Sequence, residues 1–173
     1  ISEKTEDDTY FVYSMYFGVI AEVPYSTLYW LEWDISRFLE YSMFSMNINE
    51  VNSIKAVFDG NEYIYTLKRD SDGNASQVFA GKNEYDMDTF RQFYITLLEF
   101  KIYGRTEKPV WDEPVLTITL DTEQGEYEYV FYMKTTRKVY YTCNGEGEFY
   151  VNVDKVWQFK REAIAIYNGE LIQ

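Results

Sequence analysis

Apolar and polar side chains alternate with period two along most of this chain, and the stretches where the period lengthens to three or four are few. A strand sends successive side chains to opposite faces, whereas a helix returns to one face every three or four residues. Residues 10–13 and 16–23 therefore read as two strands joined by a short turn, with Pro24 stopping the second. Ser26 is placed to cap a helix, and Leu28, Leu31, Ile35, Phe38 and Leu39 follow at helical spacing, so one helix or two short ones are predicted over 27–40. A short strand is predicted at 43–48. Strands at 50–58 and 62–68 flank Asp59-Gly60-Asn61, an Asp-Gly hairpin signal in which both central residues tolerate positive φ. Asp70 to Asn74 supplies the next turn, and 77–79 a third strand.

The clearest helical pattern spans 86–103. Asp86 is its cap, Asp88 favours the positive end of the helix dipole, and Met87, Phe90, Tyr94, Leu97, Leu98 and Ile102 form one stripe, with Gly104 at the expected stop. A loop over 105–114 holds two of the three prolines. Four strands follow at 115–120, 127–133, 138–143 and 148–153, with turns at Glu123 to Gly125, Thr135-Thr136 and Asn144 to Gly147. Asp154 then caps a last helix carrying Val156, Trp157, Phe159, Ala163, Ile164 and Tyr167, which Gly169 ends. The predicted class is α+β, with antiparallel sheets packed against about three helices.

Two segments match in pattern at an offset of 130: Tyr10, Phe11, Val19, Ile20 and Val23 fall on Tyr140, Tyr141, Phe149, Tyr150 and Val153. Each reads as a hairpin followed at once by a capped helix. The implied organisation is a flexible leader at 1–9, the closing half of a first repeat unit at 10–49 and a complete second unit at 50–173, together one compact domain.

Composition changes this picture in three ways. Tyr, Phe and Trp make up 20% of the chain, which suits half-buried pleated surfaces. The formal net charge of -13 repels phosphate, so nucleic acid is excluded as an expected partner and anionic membrane surfaces are disfavoured. The absence of histidine removes the commonest general base and metal ligand, and the lone Cys143, in a strand pattern, reads as a small strand residue. No apolar window is long enough for a transmembrane helix. A chain opening on Ile1 is expected to continue something longer, so any membrane attachment is expected to lie in a segment absent from these residues.

Candidate chemistry is sparse. The 29 acidic residues invite a two-carboxylate glycosidase, but nothing in their spacing selects a pair. Asp70-x-Asp72-Gly73-Asn74 has a glycine too early for a calcium loop and reads as a hairpin turn, and Asn74-Ala75-Ser76 is a formal glycosylation sequon. No catalytic, cofactor-binding or metal-binding residues are assigned, and no cofactor is expected. The candidate ligand or partner contacts are Trp111, Asp112 and Glu113, where an indole beside carboxylates suits a sugar face or a partner anchor; the alternative is that Trp111 plugs a gap between helix and sheet. Trp30, Trp33 and Trp157 are expected in the core.

The order of elements, with Asp59-Gly60 in a hairpin, a Pro-bearing loop at Trp111-Asp112-Glu113-Pro114 and a closing strand at Tyr150 to Val153, resembles the bacterial family catalogued as domain of unknown function 4340. That family often carries Gly-Leu-Asp-x-Pro in the loop, which Asp112 and Pro114 fit. The resemblance implies a protein anchored outside the cytoplasmic membrane, some relatives lying beside ABC-transporter components linked with gliding, and carries over no catalytic residue. The expected function is a non-enzymatic binding or scaffold module of the bacterial cell envelope, partnered by another envelope protein or a surface polysaccharide. A carbohydrate-active or carbohydrate-binding domain and a transporter accessory are the alternatives.

Overall fold

The computed structural model describes residues 1–32, 42–110 and 113–172. They fall into two compact units, Ile1–Leu39 and Glu40–Gln173. The class is α+β, with two antiparallel sheets and three helices among the described residues.

The first unit is a hairpin, β1 (Thr9–Ser14) and β2 (Val19–Pro24), running directly into a single α-turn, α1 (Tyr25–Leu28), and a 3-10 turn (Tyr29–Glu32). The helix starts earlier than the pattern predicts. Pro24, not Ser26, is its N-cap, with no side-chain cap, and the Tyr25 N–H is instead bonded to the Asp8 carbonyl at 2.8 Å. The rest of the helix predicted over 27–40, including Trp33, lies outside the described residues. Trp30 is 41% exposed rather than in a core. Residues 1–8 are tied to β1: Ser2 N–H donates to the Phe11 carbonyl at 2.9 Å and Thr5 N–H to that of Thr9 at 2.8 Å.

The second unit is a nine-stranded antiparallel sheet with two helices against one face. Its strands are β3 (Val51–Phe58), β4 (Asn61–Arg69), β5 (Ala75–Ala80), β6 (Asn83–Tyr85), β7 (Gly104–Arg105), β8 (Leu116–Thr122), β9 (Gly125–Met133), β10 (Lys138–Cys143) and β11 (Glu146–Asn152). Across the sheet they lie in the order β6-β5-β4-β3-β8-β9-β10-β11-β7. The helices are α2 (Met87–Leu98) and α3 (Val153–Tyr167). Asp59 and Gly60 both have positive φ, 50° and 75°, as do Asn144 and Gly145, 51° and 85°, so two-residue turns close the β3–β4 and β10–β11 hairpins. Segment 43–48 is not a strand: the Asn47 side chain accepts the Asn49 N–H and starts a 3-10 turn, Ile48–Glu50. Two helix ends also differ from expectation. α2 stops at Leu98, leaving Gly104 in a strand, and α3 is capped by Asn152, with Asp154 in its first turn.

This topology contains a two-fold repeat that the offset of 130 conceals. The first half, β3-β4-β5-β6-α2, and the second, β8-β9-β10-β11-α3, have the same order, and they join where β3 pairs antiparallel with β8. Along the helices the equivalence is an offset of 66, with Phe90, Phe93, Leu97 and Phe100 matching Val156, Phe159, Ala163 and Ile166, every one fully buried. Along β4 and β9 it is 64, with Tyr65 and Leu67 matching Tyr129 and Phe131 on the core side. Phe93 and Phe159 are equivalent residues and stack on each other, ring centroids 5.1 Å apart. An offset of 130 is thus two repeat lengths, and 50–173 is a pair of units.

The first-unit hairpin belongs to the same series, but side-chain direction corrects its alignment. Tyr10 pairs with Val23 two residues before α1, and Val139 pairs with Val151 two residues before α3. Tyr10 therefore corresponds to Val139 and Phe11 to Tyr140, since a one-residue slip would turn every side chain to the wrong face.

A buried bond fixes helix to sheet: the Tyr65 hydroxyl donates to the Ala163 carbonyl at 2.6 Å, and burial pushes this phenol far above its usual range. Replacing Phe159 by Ala removes a fully buried ring from the contact between the halves. The expected loss is about 3–5 kcal/mol of unfolding free energy, read by urea denaturation.

Candidate functional site

Two of the concave features on the second unit bear on binding. The first is a cleft of about 530 Å³ beside the Asp59-Gly60 turn. One wall is the exposed Glu113 and Pro114 leading into β8; another is α3, which offers Trp157 and Lys160 at i and i+3. The candidate contacts are Trp111, Asp112 and Glu113. Glu113 lines this cleft, whereas Trp111 and Asp112 lie outside the described residues.

Lys160 is only 7% exposed, a costly place for an ammonium ion unless it is paired. Its Nζ donates to Asp59 Oδ1 at 2.8 Å and sits 4.8 Å from the ring centroids of both Phe58 and Trp157. Two aromatic faces and one carboxylate thus replace its water. Trp157 is 38% exposed and so is not the core residue expected from helical spacing: its neighbour Val156 turns inward while the indole lies along the cleft. The arrangement presents an indole, two carboxylates and a cation to the same space.

The second feature is on the sheet face opposite the helices. Val139, Tyr141 and Val151 point into the core, so Tyr140 and its cross-strand partners Tyr132 and Tyr150 point away from it. The Tyr132 and Tyr140 rings lie 6.2 Å apart, and Tyr103 stacks on Tyr150 at 6.4 Å. Lys108 lies over Tyr132 and Lys138 over Tyr150, at 5.4 and 4.4 Å. A groove of about 600 Å³ runs between the 105–108 strand end and Tyr140, Gly147 and Glu148. Arg105 closes one side through Glu148, with Nε 3.2 Å from Oε2. The Tyr140 hydroxyl donates to the Gly147 carbonyl at 2.7 Å, and burial raises its pKa against the opposing pull of Lys108. Gly147 is obligatory here, because a Cβ would fall 2.1 Å from the Tyr141 carbonyl oxygen.

Burial raises the Tyr94 and Tyr141 phenols to about 12, and the Asp86 carboxyl moves down because Thr89 donates to it through hydroxyl and backbone. Among the described residues no group of three or more Cys, Asp or Glu side chains is arranged to hold a metal ion. The Asp70–Asn74 segment is a turn, in which Asp70 Oδ1 accepts the N–H groups of both Asp72 and Asn74 at 2.9 Å. Cys143 is a half-buried thiol on β10, as its pattern predicted. The tyrosine strip was missed in the sequence because its members come from β9, β10, β11 and the segment before β7; only strand register brings them together.

Comparison with family models, with curated proteins and with solved structures finds no match.

Asp59→Asn keeps a side chain that tolerates the turn's positive φ but removes the counter-charge of Lys160. We expect it to cost about 1–3 kcal/mol in urea denaturation, while Glu62→Gln on the exposed Lys55 pair costs under about 0.5 kcal/mol.

Proposed function

We propose that this chain is a non-catalytic binding or scaffold module of a bacterial cell-envelope protein, engaging an envelope protein or a surface polysaccharide through the tyrosine strip. The observation that carries this reading is the strip itself, on the sheet face that the helices leave uncovered: Tyr103 is 54% exposed, Tyr132 and Tyr150 are half-buried and Tyr140 is buried. Tyrosines of this kind combine a broad apolar face with a polar tip, the chemistry favoured at recognition surfaces. The envelope location rests on the likeness drawn from the loop at Asp112 and Pro114.

The cleft beside Glu113 favours a second reading, carbohydrate binding there. An indole alongside carboxylates offers a stacking surface and hydroxyl acceptors in one place. Asp59 is already committed to Lys160 at 2.8 Å, so the cleft suits holding a sugar better than cleaving one.

One measurement separates the two: sedimentation of the purified chain with isolated bacterial cell envelopes. Tyr103→Ser with Tyr150→Ser changes outward side chains and is expected to weaken binding by roughly tenfold or more. Trp157→Ala has that effect instead if the cleft is the site. Binding that neither variant alters, or no binding by the wild type, removes both readings.

A further inference from the structure

The first unit carries the most exposed apolar surface among the described residues. Phe11, Tyr13, Met15, Tyr16, Phe17 and Ile20 are 46%, 57%, 88%, 90%, 73% and 70% exposed. No charged residue occurs between Asp8 and Glu22, although charged residues are 26% of the chain and its net charge is -13. Glu22 is the only charged residue of β2, so two copies can approach along this edge with little like-charge repulsion.

The repeat shows which edge of this hairpin takes a strand. In the second half of the large sheet, β10 is covered by β9, and β11 receives β7 at Phe149 and Tyr150. On β1 the outer edge is held by Ser2 and Thr5. On β2 the outer edge has no partner among the described residues. Phe11 points its N–H and C=O toward Ser2, away from β2, so Tyr10 and Val12 make the bonds to Val23 and Ala21. The N–H and C=O groups of Ile20 and Glu22 therefore face outward. With Val23 matched to Val151, these residues correspond to Glu148 and Tyr150, whose carbonyls accept from Thr106 and Tyr103 on the strap through β7.

We propose that β2 pairs antiparallel with β2 of a second copy, across a two-fold axis at Ala21. In this register Ile20 lies opposite Glu22 of the second copy, and each pair exchanges two backbone hydrogen bonds. The carboxylates do not face one another. The four strands form one sheet, and the Met15–Phe17 tip of each copy lies beside Pro24 and α1 of the other. In this register Ile20 and the Met15, Tyr16 and Phe17 tips lie along the seam and supply its apolar contacts. Pro24 ends the ladder for want of an N–H, and β1 is already capped, so assembly closes at two copies.

The test is sedimentation of the whole chain with three variants. The wild type is expected to sediment as a dimer of the 20.7 kDa chain. Ile20→Glu places like charges opposite each other and is expected to weaken the dimer at least roughly fivefold. Ile20→Lys faces Glu22 and is expected to retain it; loss in both variants, with circular dichroism unchanged, overturns the register. Ala21 sits in a non-hydrogen-bonded pair, where Cα atoms lie about 4.5 Å apart, within disulfide range. Ala21→Cys, in a Cys143→Ser background, is expected to form a disulfide-linked dimer in air. A monomeric wild type, or a dimer that Ala21→Cys does not cross-link, overturns the proposal.

Discussion

The second unit depends on the stack between Phe93 and Phe159. These rings are the same position of a repeated half, placed face to face where α2 meets α3. A two-fold arrangement requires a residue near its axis to pack against its own equivalent, and only a side chain whose shape suits itself can do so. Offset stacking of two rings satisfies this, and rings at Phe90, Phe100 and Tyr65 close around the pair. The pairing of β3 with β8 continues the same symmetry through the backbone. Neither half offers a covered core alone, because the helix of each turns its buried face toward both the sheet and the other helix.

Much of this was legible in the chain. Asp59-Gly60 and Asn144-Gly145 announce tight hairpins because few residue types accept two successive positive φ values. Asp86 announces a helix start because a short acceptor satisfies the Thr89 N–H. What misled was chemistry that works in more than one setting. Gly104 looked like a helix stop but lies in an extended strand against Tyr150, and the stripe from Phe90 to Ile102 continues past Leu98 only because Phe100 enters the core from the following turn. The repeat was found at twice its true length because β6 has three residues where β11 has seven, so no single offset aligns one half with the other.

The sites were less legible, for a physical reason. Glu113 was recognised as a loop carboxylate beside a proline, but its companions in the cleft come from a turn over fifty residues earlier and a helix over forty later. Periodicity assigns a helical Trp to the core; the competing demand at Trp157 is the Lys160 ammonium, which needs an aromatic face more than the core needs another ring. Register, not composition, assembles the tyrosine strip, and register is a property of strand pairs.

The axis through Phe93 and Phe159 bears on ancestry. Phe93 meets its own equivalent Phe159 and β3 meets its own equivalent β8, the contacts expected where one ββββα half has been duplicated and the copies joined. Fusion through the segment between α2 and β8 would hold the two partners at high effective concentration and free each copy to diverge, one toward Lys160 beside Trp157, the other toward Tyr94 bonded to Met46.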